Sequence, residues 1–132
     1  MKIITSGKRK CAVARAILTE GQGKITLNKK AYQNLQFLDK LRIEEPIKIA
    51  ENIVGELKID VAINMRGGGE KSQIEAARLA LGRALSTFYN SKELTDALLN
   101  YDRGLFVADV RRKESYKPGD SKARRKRQKS YR

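Results

Sequence analysis

The residues of this chain that can do chemistry are mainly cations, and they are concentrated at the carboxyl end. Residues 111–132 carry eleven Lys or Arg side chains against two acids, a net charge of +9. Arg can form paired hydrogen bonds with a phosphate group, and Lys supplies a mobile point charge. The apolar or half-apolar side chains here are Tyr116, Ala123 and Tyr131, too few to offset about 1 to 2 kcal/mol of entropy per ordered residue. The pattern predicts a tail that is disordered when free and is ordered by a polyanion such as nucleic acid.

A second group of cations follows Gly7. Lys8, Arg9 and Lys10 are consecutive, and such a run is either the solvated entry to a strand or, beside a tail that binds polyanions, a second phosphate contact. In the second interpretation, Arg15 and Arg103 extend the same basic face.

A glycine-rich loop, Gly67 to Gly69, stands between Arg66 and the Glu70-Lys71 pair. Its place between a predicted strand and a predicted helix resembles a phosphate-binding P-loop, but the spacing of glycines and Lys does not match that motif. A carboxylate at position 70 would also repel a nucleotide phosphate. The loop is either a turn without a ligand or a place where backbone amides and the flanking cations contact a polynucleotide phosphate.

The sequence gives little support for a catalytic function. The chain has no histidine and one cysteine, Cys11, so the commonest general base, the commonest metal ligand and any intramolecular disulfide are missing. We expect no catalytic residues, no metal and no cofactor, and we expect Cys11 to be a small buried side chain in a strand.

The charge balance divides the chain into two parts. The full sequence has 29 basic and 15 acidic residues, and 18 and 13 of these lie in residues 1–110. We predict one globular domain over residues 1–110 and an extended basic tail over residues 111–132. No apolar run is long enough for a membrane span, and no secretory signal is recognisable, so we expect a cytoplasmic protein.

Hydrophobic periodicity predicts an alternation of strands and helices. Residues 11–18 and 24–27 are expected to pair as a hairpin around Gly21 and Gly23, and residues 57–64 alternate as a one-sided strand. Helices are predicted over residues 29–39, from Glu44 through Pro46 to residue 52, from a capping box at Ser72 onward, and over residues 92–99 behind Ser91. Residues 105–110 are predicted to form a last strand.

Arg78 and Arg83 lie off the apolar stripe of the third helix, so we expect them to face solvent or a partner.

Four separated motifs together resemble the small-subunit ribosomal protein S-nine family. They are GKRK at residues 7–10 with Ala12, Ala14 and Arg15, the stretch GGGEKSQIEAARLALGRAL at 67–85, DVR at 109–111, and QKSYR at 128–132. The last motif is similar to the archaeal and eukaryotic branch of the family. The resemblance covers nearly the whole chain.

The resemblance implies an α/β (α+β) fold, a two-layer sandwich of a mixed sheet with helices like the second domain of ribosomal protein S-five. It implies a structural role in the small subunit, with rRNA of the head, peptidyl-site tRNA and neighbouring head proteins as partners. The tail would reach the tRNA anticodon stem-loop with Lys129, Ser130, Tyr131 and Arg132. The full set of expected rRNA-binding residues is Lys8, Arg9, Lys10, Arg15, Arg66, Gly67, Gly68, Gly69, Lys71, Gln73, Arg78, Arg83, Arg103, Arg111, Arg112, Lys113, Lys117, Arg124, Arg125 and Arg127.

Three other classes of protein remain open from the residues alone. A DNA-compacting protein would also be basic, but it would more often repeat its basic segments. A membrane-surface protein needs a basic helix with a bulky apolar face, which residues 122–132 lack. A nucleotide-using enzyme would require the glycine loop to bind ATP.

Overall fold

The fold is a five-stranded mixed sheet covered on one face by helices. The computed structural model describes residues 1–116 and 131–132. Its strands and helices are, in chain order, β1 (Lys2–Arg9), β2 (Ala12–Glu20), β3 (Ile25–Leu27), β4 (Lys30–Ala31), α1 (Phe37–Val54), β5 (Ile59–Arg66), α2 (Glu70–Tyr89) and α3 (Lys92–Tyr101). Short 3-10 turns occupy Tyr32–Asn34 and Arg103–Leu105. The expected two-layer α/β sandwich is confirmed.

The strands lie in the order β1-β2-β5-β3-β4. β3 and β5 run parallel, and the other neighbours are antiparallel. A parallel pair cannot be joined by a tight turn, because the chain must return to the starting edge. Helix α1 lies on the connection that makes this return.

Alternation of side chains along β2 shows which face the helices cover. Ala12, Ala14 and Ala16 are buried, whereas Val13 and Arg15 are exposed. Small residues on the covered face let α2 lie close to the sheet, and at Gly7 an added Cβ would stand 2.2 Å from the carbonyl oxygen of Ala76 in α2. The other face, which we call the open face, has no helix of the described residues packed on it.

The predicted hairpin between the second and third strands is wrong. β2 pairs with β1 on one side and β5 on the other, so β5 separates β2 from β3. The loop around Gly21 crosses the end of β5, where the backbone amides of Lys24 and Gln22 each donate to Asp60 Oδ1 at 2.9 Å. These hydrogen bonds lower the pKa of Asp60. The true hairpin joins β1 to β2 through Lys10 and Cys11.

Cys11 corrects a second expectation. It is exposed in the two-residue turn after β1, because β1 extends to Arg9 and takes up the residues that we expected to precede the first strand.

The two helices predicted on either side of Glu44 are one helix. α1 runs from Phe37 through Val54 with Pro46 inside it and buried, and residues 30–34 form β4 and a 3-10 turn instead of helix. Pro in the first turn is a start signal, but here Pro46 lies in the helix interior, where its ring is buried and one backbone hydrogen bond is lost.

Two helix predictions are confirmed, although α2 begins before the predicted start at Ser72 and α3 continues two residues past Leu99, and one capping prediction is wrong. α2 begins at Glu70 after Gly69, so Ser72 lies inside the first turn and caps nothing. Ser91 caps α3 by accepting a hydrogen bond from the amide of Leu94 at 3.4 Å.

The predicted last strand over residues 105–110 is also wrong. Leu105 is buried against α2, with its carbonyl 2.4 Å from where a Cβ on Gly82 would stand. The residues that follow lie against side chains of β1 and α2 and have no strand neighbour. An apolar run of this length indicates burial but cannot tell a strand from an extended segment held by side chains.

Candidate nucleic-acid interface

The cations of β1 are divided between two faces. Lys8 and Lys10 are exposed. Arg9 points to the covered side, with 16% of its side chain exposed, and lies 2.7 Å from Glu75 Oε2 through Nε and 3.2 Å from Asp109 Oδ2 through Nη1. The second contact is an ion pair without an aligned hydrogen bond. Of the three side chains that we expected to contact phosphate, Lys8 and Lys10 point outward and Arg9 does not.

Strand register groups three cations on the open face. Val13 stands opposite Lys8 on one side and Arg66 on the other, and directly opposite residues share a face. Arg15 lies two residues further along β2, on the same face, between Ser6 and Asn64. Lys8 and Arg66 are therefore about 10 Å apart, two strand spacings, at one end of this face.

The glycine loop continues this end of the sheet. Gly67 and Gly68 have φ of 75° and 62°, a region that L side chains rarely adopt. A Cβ on Gly67 would lie 2.6 Å from the carbonyl oxygen of Cys11, so glycine lets the loop pass close to the β1–β2 turn. Gly69 precedes α2 without any side-chain cap, which leaves the first amides of the helix without an intrahelical partner.

A groove lies beside this loop. We call it the loop groove, and its lining residues are Arg9, Lys10, Cys11, Gly68, Gly69, Ser72, Arg111, Arg112 and Lys113. It brings together cations from the β1–β2 turn and from the start of the tail, more than 100 residues apart in sequence. Backbone amides at a helix amino terminus and several cations together favour an anion.

Three expected rRNA contacts on α2 are occupied within the protein. Lys71 Nζ lies 2.9 Å from both carboxylate oxygens of the buried Asp39. Gln73 donates to the Gly67 carbonyl at 3.0 Å and thereby ties the glycine loop to its helix. Arg83 donates to the carbonyls of Phe106 and Ser6 at 2.9 and 3.0 Å.

Arg78 does not face solvent as expected. Its side chain is 15% exposed and contacts Glu45 on α1 and Asp102 after α3, the latter at 2.8 Å. Burial opposes ionisation of Asp102, but hydrogen bonds from Arg78 and from the Gly104 amide outweigh it and lower the Asp102 pKa. Arg78 therefore joins three segments of the body. The helical stripe could not reveal this, because neither carboxylate is near Arg78 in sequence.

The start of the tail is organised around Asp109. Arg111 donates to the Asp109 carboxylate through Nε and Nη2 at 2.9 and 2.7 Å, and through its backbone amide at 2.9 Å. Hydrogen bonds from the Arg111 side chain and then its amide hold the Asp109 pKa far below its ordinary value. Arg112 is exposed and donates to two nearby carbonyls, and Lys113 Nζ lies 4.7 Å from the centre of the Tyr116 ring.

The remaining expected site residues fall into two groups. Arg103 is exposed in the last 3-10 turn, and Tyr131 and Arg132 are exposed at the carboxyl end. The others lie outside the described residues: Lys117, Arg124, Arg125, Arg127, Lys129 and Ser130.

Sequence reasoning missed two residues of the loop groove. Cys11 was assigned to the core and Ser72 to a helix cap, yet both line the groove. The signal that would have found Cys11 is the length of β1, since a strand ending at Arg9 leaves residues 10 and 11 for the turn.

Fold and surface together define a class of protein: a small, basic α/β protein with a group of exposed cations where two loops and the start of the tail meet. Within residues 1–116 and 131–132 no cluster of His, Cys, Asp or Glu suited to a metal ion is found. No helix in the same part of the chain is long and apolar enough to cross a membrane.

Comparison with known proteins narrows this class to one family. The family model for ribosomal protein S9/S16 matches residues 7–132. Small ribosomal subunit protein uS9 of Methanococcus vannielii is 46% identical, with both chains covered completely. The corresponding proteins of Thermoplasma volcanium, at 45% with 98% of each chain covered, and Desulfurococcus amylolyticus, at 40% with 98% and 92% covered, are also similar.

The chain belongs to the ribosomal protein S9/S16 family. It is a structural constituent of the small ribosomal subunit and not an enzyme. The resemblance read from the four motifs is confirmed, and the relatives named above are archaeal.

Proposed function

We propose that the chain binds rRNA of the small-subunit head through a basic surface, which we define as Lys8, Lys10, Arg15 and Arg66, together with Arg112, Lys113 and the glycines of the loop groove. The proposal rests on one observation, which is that some cations bind groups of the protein itself and others are exposed without such partners among the described residues. Arg9, Lys71, Arg78 and Arg83 bind groups of the protein itself, while the exposed Lys8, Lys10, Arg15 and Arg66 lie near one end of the open face, close to the start of the tail. No ion pair of Lys8, Lys10, Arg15 or Arg66 is found among residues 1–116 and 131–132, and a group of like charges at one place favours an external polyanion.

The chemistry of this surface suits an RNA backbone. Each phosphate neutralised by a cation releases condensed counterions, which makes binding favourable and dependent on salt. The glycines at 67–69 add a place where backbone amides can approach a phosphate without a side chain between them.

The proposal extends to the tail. Extended chain covers about 3.3 to 3.6 Å per residue, so 22 residues span on the order of 70 Å. A cation-rich arm of that length can reach from the head rRNA to peptidyl-site tRNA and contact its anticodon stem-loop with Lys129, Ser130, Tyr131 and Arg132. Support for the tRNA contact comes from the family resemblance of the QKSYR ending and from the exposure of Tyr131 and Arg132. Neighbouring head proteins complete the proposed partners, and the cytoplasmic ribosome is the place of action.

A matched pair of triple variants tests the basic surface. One variant carries Lys10→Gln, Arg15→Gln and Arg66→Gln, and the control carries Lys48→Gln, Lys58→Gln and Lys92→Gln, three exposed cations elsewhere. Both lose three positive charges. Binding to a transcript of the rRNA head domain is measured over a salt series, because each lost phosphate contact reduces the slope of log affinity against log salt by about 1.

We expect the full chain to show a slope between about −4 and −9, and the surface variant to lose about 2 to 3 of it. The control variant should retain nearly all of it. Equal losses in the two variants would mean that net charge alone, and no particular surface, determines binding. Equal or stronger binding to duplex DNA of equal length would mean that the surface binds polyanions without preference for rRNA.

A protein truncated after Val110 tests the division into domain and tail. Every described strand and helix ends before that residue, so we expect cooperative thermal unfolding of the truncated protein, together with loss of half or more of the salt slope. Gradual unfolding would contradict the proposed boundary, and an unchanged slope would contradict the role of the tail.

A further inference from the structure

The segment between the last 3-10 turn and the tail is fixed to the body by side chains instead of by strand pairing. We call residues 106–111 the tail anchor. Its start is fixed by Leu105, which is fully buried against Gly82 of α2. From there the chain could leave the body in many directions, because no β-ladder holds residues 106–111.

Two arginines of the body hold the tail anchor. Arg83 of α2 donates through Nε to the Phe106 carbonyl and through Nη1 to the Ser6 carbonyl, so one guanidinium joins helix, β1 and anchor. Three residues further on, Arg9 of β1 lies 3.2 Å from Asp109 while its Nε contacts Glu75 of α2. Glu75 also faces Arg42 of α1 at 3.6 Å. Asp109 is therefore the last member of a series of ion pairs that continues through Arg9 and Glu75 to Arg42 and links the tail anchor to β1, α2 and α1.

The same carboxylate sets the direction of the next residues. Arg111 returns to Asp109 with both its side chain and its backbone amide. This closes a tight turn at residues 109–111 and places Arg112 and Lys113 in the loop groove beside Lys10, Gly68 and Gly69. Asp109 lowers the positive charge of this segment by one. Its carboxylate contacts Arg9 and Arg111, and Arg112 and Lys113 stay in the groove.

We propose that Asp109 is the positioning residue that aims the tail along the loop groove, so that phosphates held by the body and phosphates held by the tail belong to one RNA path. The inference rests on the proposed RNA-binding function. Two linked binding segments gain affinity from each other only when their geometry allows simultaneous contact. A tail released from Asp109 keeps all its cations but samples directions in which the body and the RNA cannot both be contacted.

Asp109→Asn removes the charge with little change of shape, and Asp96→Asn on the exposed side of α3 is its matched control, since both raise the net charge by one. On electrostatics alone, both variants should bind RNA equally or more tightly than the parent. Arg83→Lys is a second variant that loosens the anchor without altering net charge.

The direct measurement is the spread of distances between body and tail. In the full chain with Cys11→Ser, spin labels are placed at Asn100→Cys on α3 and Ser115→Cys on the tail, and their distance distribution is recorded by pulsed electron resonance. We expect the distribution to be narrower in the parent and in Asp96→Asn than in Asp109→Asn and Arg83→Lys. Equal widths in all four proteins would overturn the proposal.

The functional measurement is affinity for the head-domain transcript at fixed salt, after thermal unfolding has shown the four proteins to be folded. Because only the correctly aimed fraction of the ensemble binds fully, Asp109→Asn should lose about three- to tenfold in affinity while Asp96→Asn does not weaken. A broadened tail with unchanged affinity would overturn the positioning role while leaving RNA binding intact. A parent that does not bind the transcript would overturn the proposed function itself.

Discussion

Lys8 and Arg9 are neighbours in the chain, yet one faces solvent and the other is enclosed by two carboxylates. The difference comes from the pleat of β1, which sends successive side chains to opposite faces. The sequence shows the three consecutive cations but not the strand that separates their roles, because KIITSGKR has no clear alternation of apolar and polar residues. The roles of Lys71, Arg78 and Arg83 were likewise invisible, since their partners are 23 or more residues away.

A single glycine tests how closely β1 lies against α2. In Gly7→Ala the new Cβ would stand 2.2 Å from Ala76 O and 2.8 Å from Ala80 N. Backbone on both sides cannot move aside easily, so we expect a loss of about 1 to 3 kcal/mol in the free energy of unfolding. Chemical denaturation measures it.

Gly69→Ala is the control for that substitution. Gly69 has φ of −97° and nothing within 4 Å of an added Cβ, so the loss should be limited to about 0.5 to 1 kcal/mol, because Ala is a poorer residue than Gly at a helix N-cap. If Gly7→Ala were as harmless as this control, the close approach of strand and helix would be refuted.

At the scale of elements, α2, α3 and β5 were predictable because each carries its own periodic signal. β5 alternates buried Ile59, Val61 and Ile63 with more polar residues, and that pattern needs no knowledge of the neighbours. Strand order was not predictable, because the hairpin rule favours pairing of consecutive strands and β5 enters between β2 and β3 only after α1 has returned the chain. The cations and glycines of the candidate site could be predicted from the sequence. Their arrangement in space could not.

The two serines that precede or begin helices give a test at this scale. Ser91 accepts a hydrogen bond from the Leu94 amide, and α3 buries Leu94 and Leu98 behind it. Ser91→Ala should therefore cost about 0.5 to 2 kcal/mol of stability. Ser72→Ala should cost much less, since Ser72 lies in the first turn of α2 and caps nothing. The midpoints of thermal unfolding compare the two variants, and the reverse ranking would restore the capping box at Ser72.

At the scale of the whole molecule, the proposed function assigns different roles to the domain and the tail. In that proposal the domain and the start of the tail hold the rRNA, and the remaining cations of the tail bind farther away. Composition alone predicts this division, because residues 111–132 hold eleven of the 29 basic residues. The direction in which the tail leaves could not be read from composition, since it depends on Arg9 and Arg83 meeting residues 106–109 in space.

The division predicts different effects for the two ends of the tail. Removing residues 129–132 takes away two of the tail's eleven cations, so incorporation into small subunits should be nearly unchanged. If the tip contacts the anticodon stem-loop, the truncation should remove one or two charge-assisted phosphate hydrogen bonds of about 1.5 to 3 kcal/mol each. Peptidyl-site tRNA should then dissociate at least about tenfold faster, because 1.4 kcal/mol corresponds to one factor of ten.

The measurement uses subunits reconstituted with full-length or truncated protein at equal occupancy, with tRNA off-rates compared at fixed salt. A charge-matched control, Lys48→Gln with Lys92→Gln, removes two cations from the helical side of the body, and it should leave the off-rate unchanged. Faster dissociation in both proteins would assign the effect to the general field of the subunit. Equal off-rates in the truncated and full-length subunits would mean that Arg132 is a solvated terminus and that the tail acts on rRNA alone.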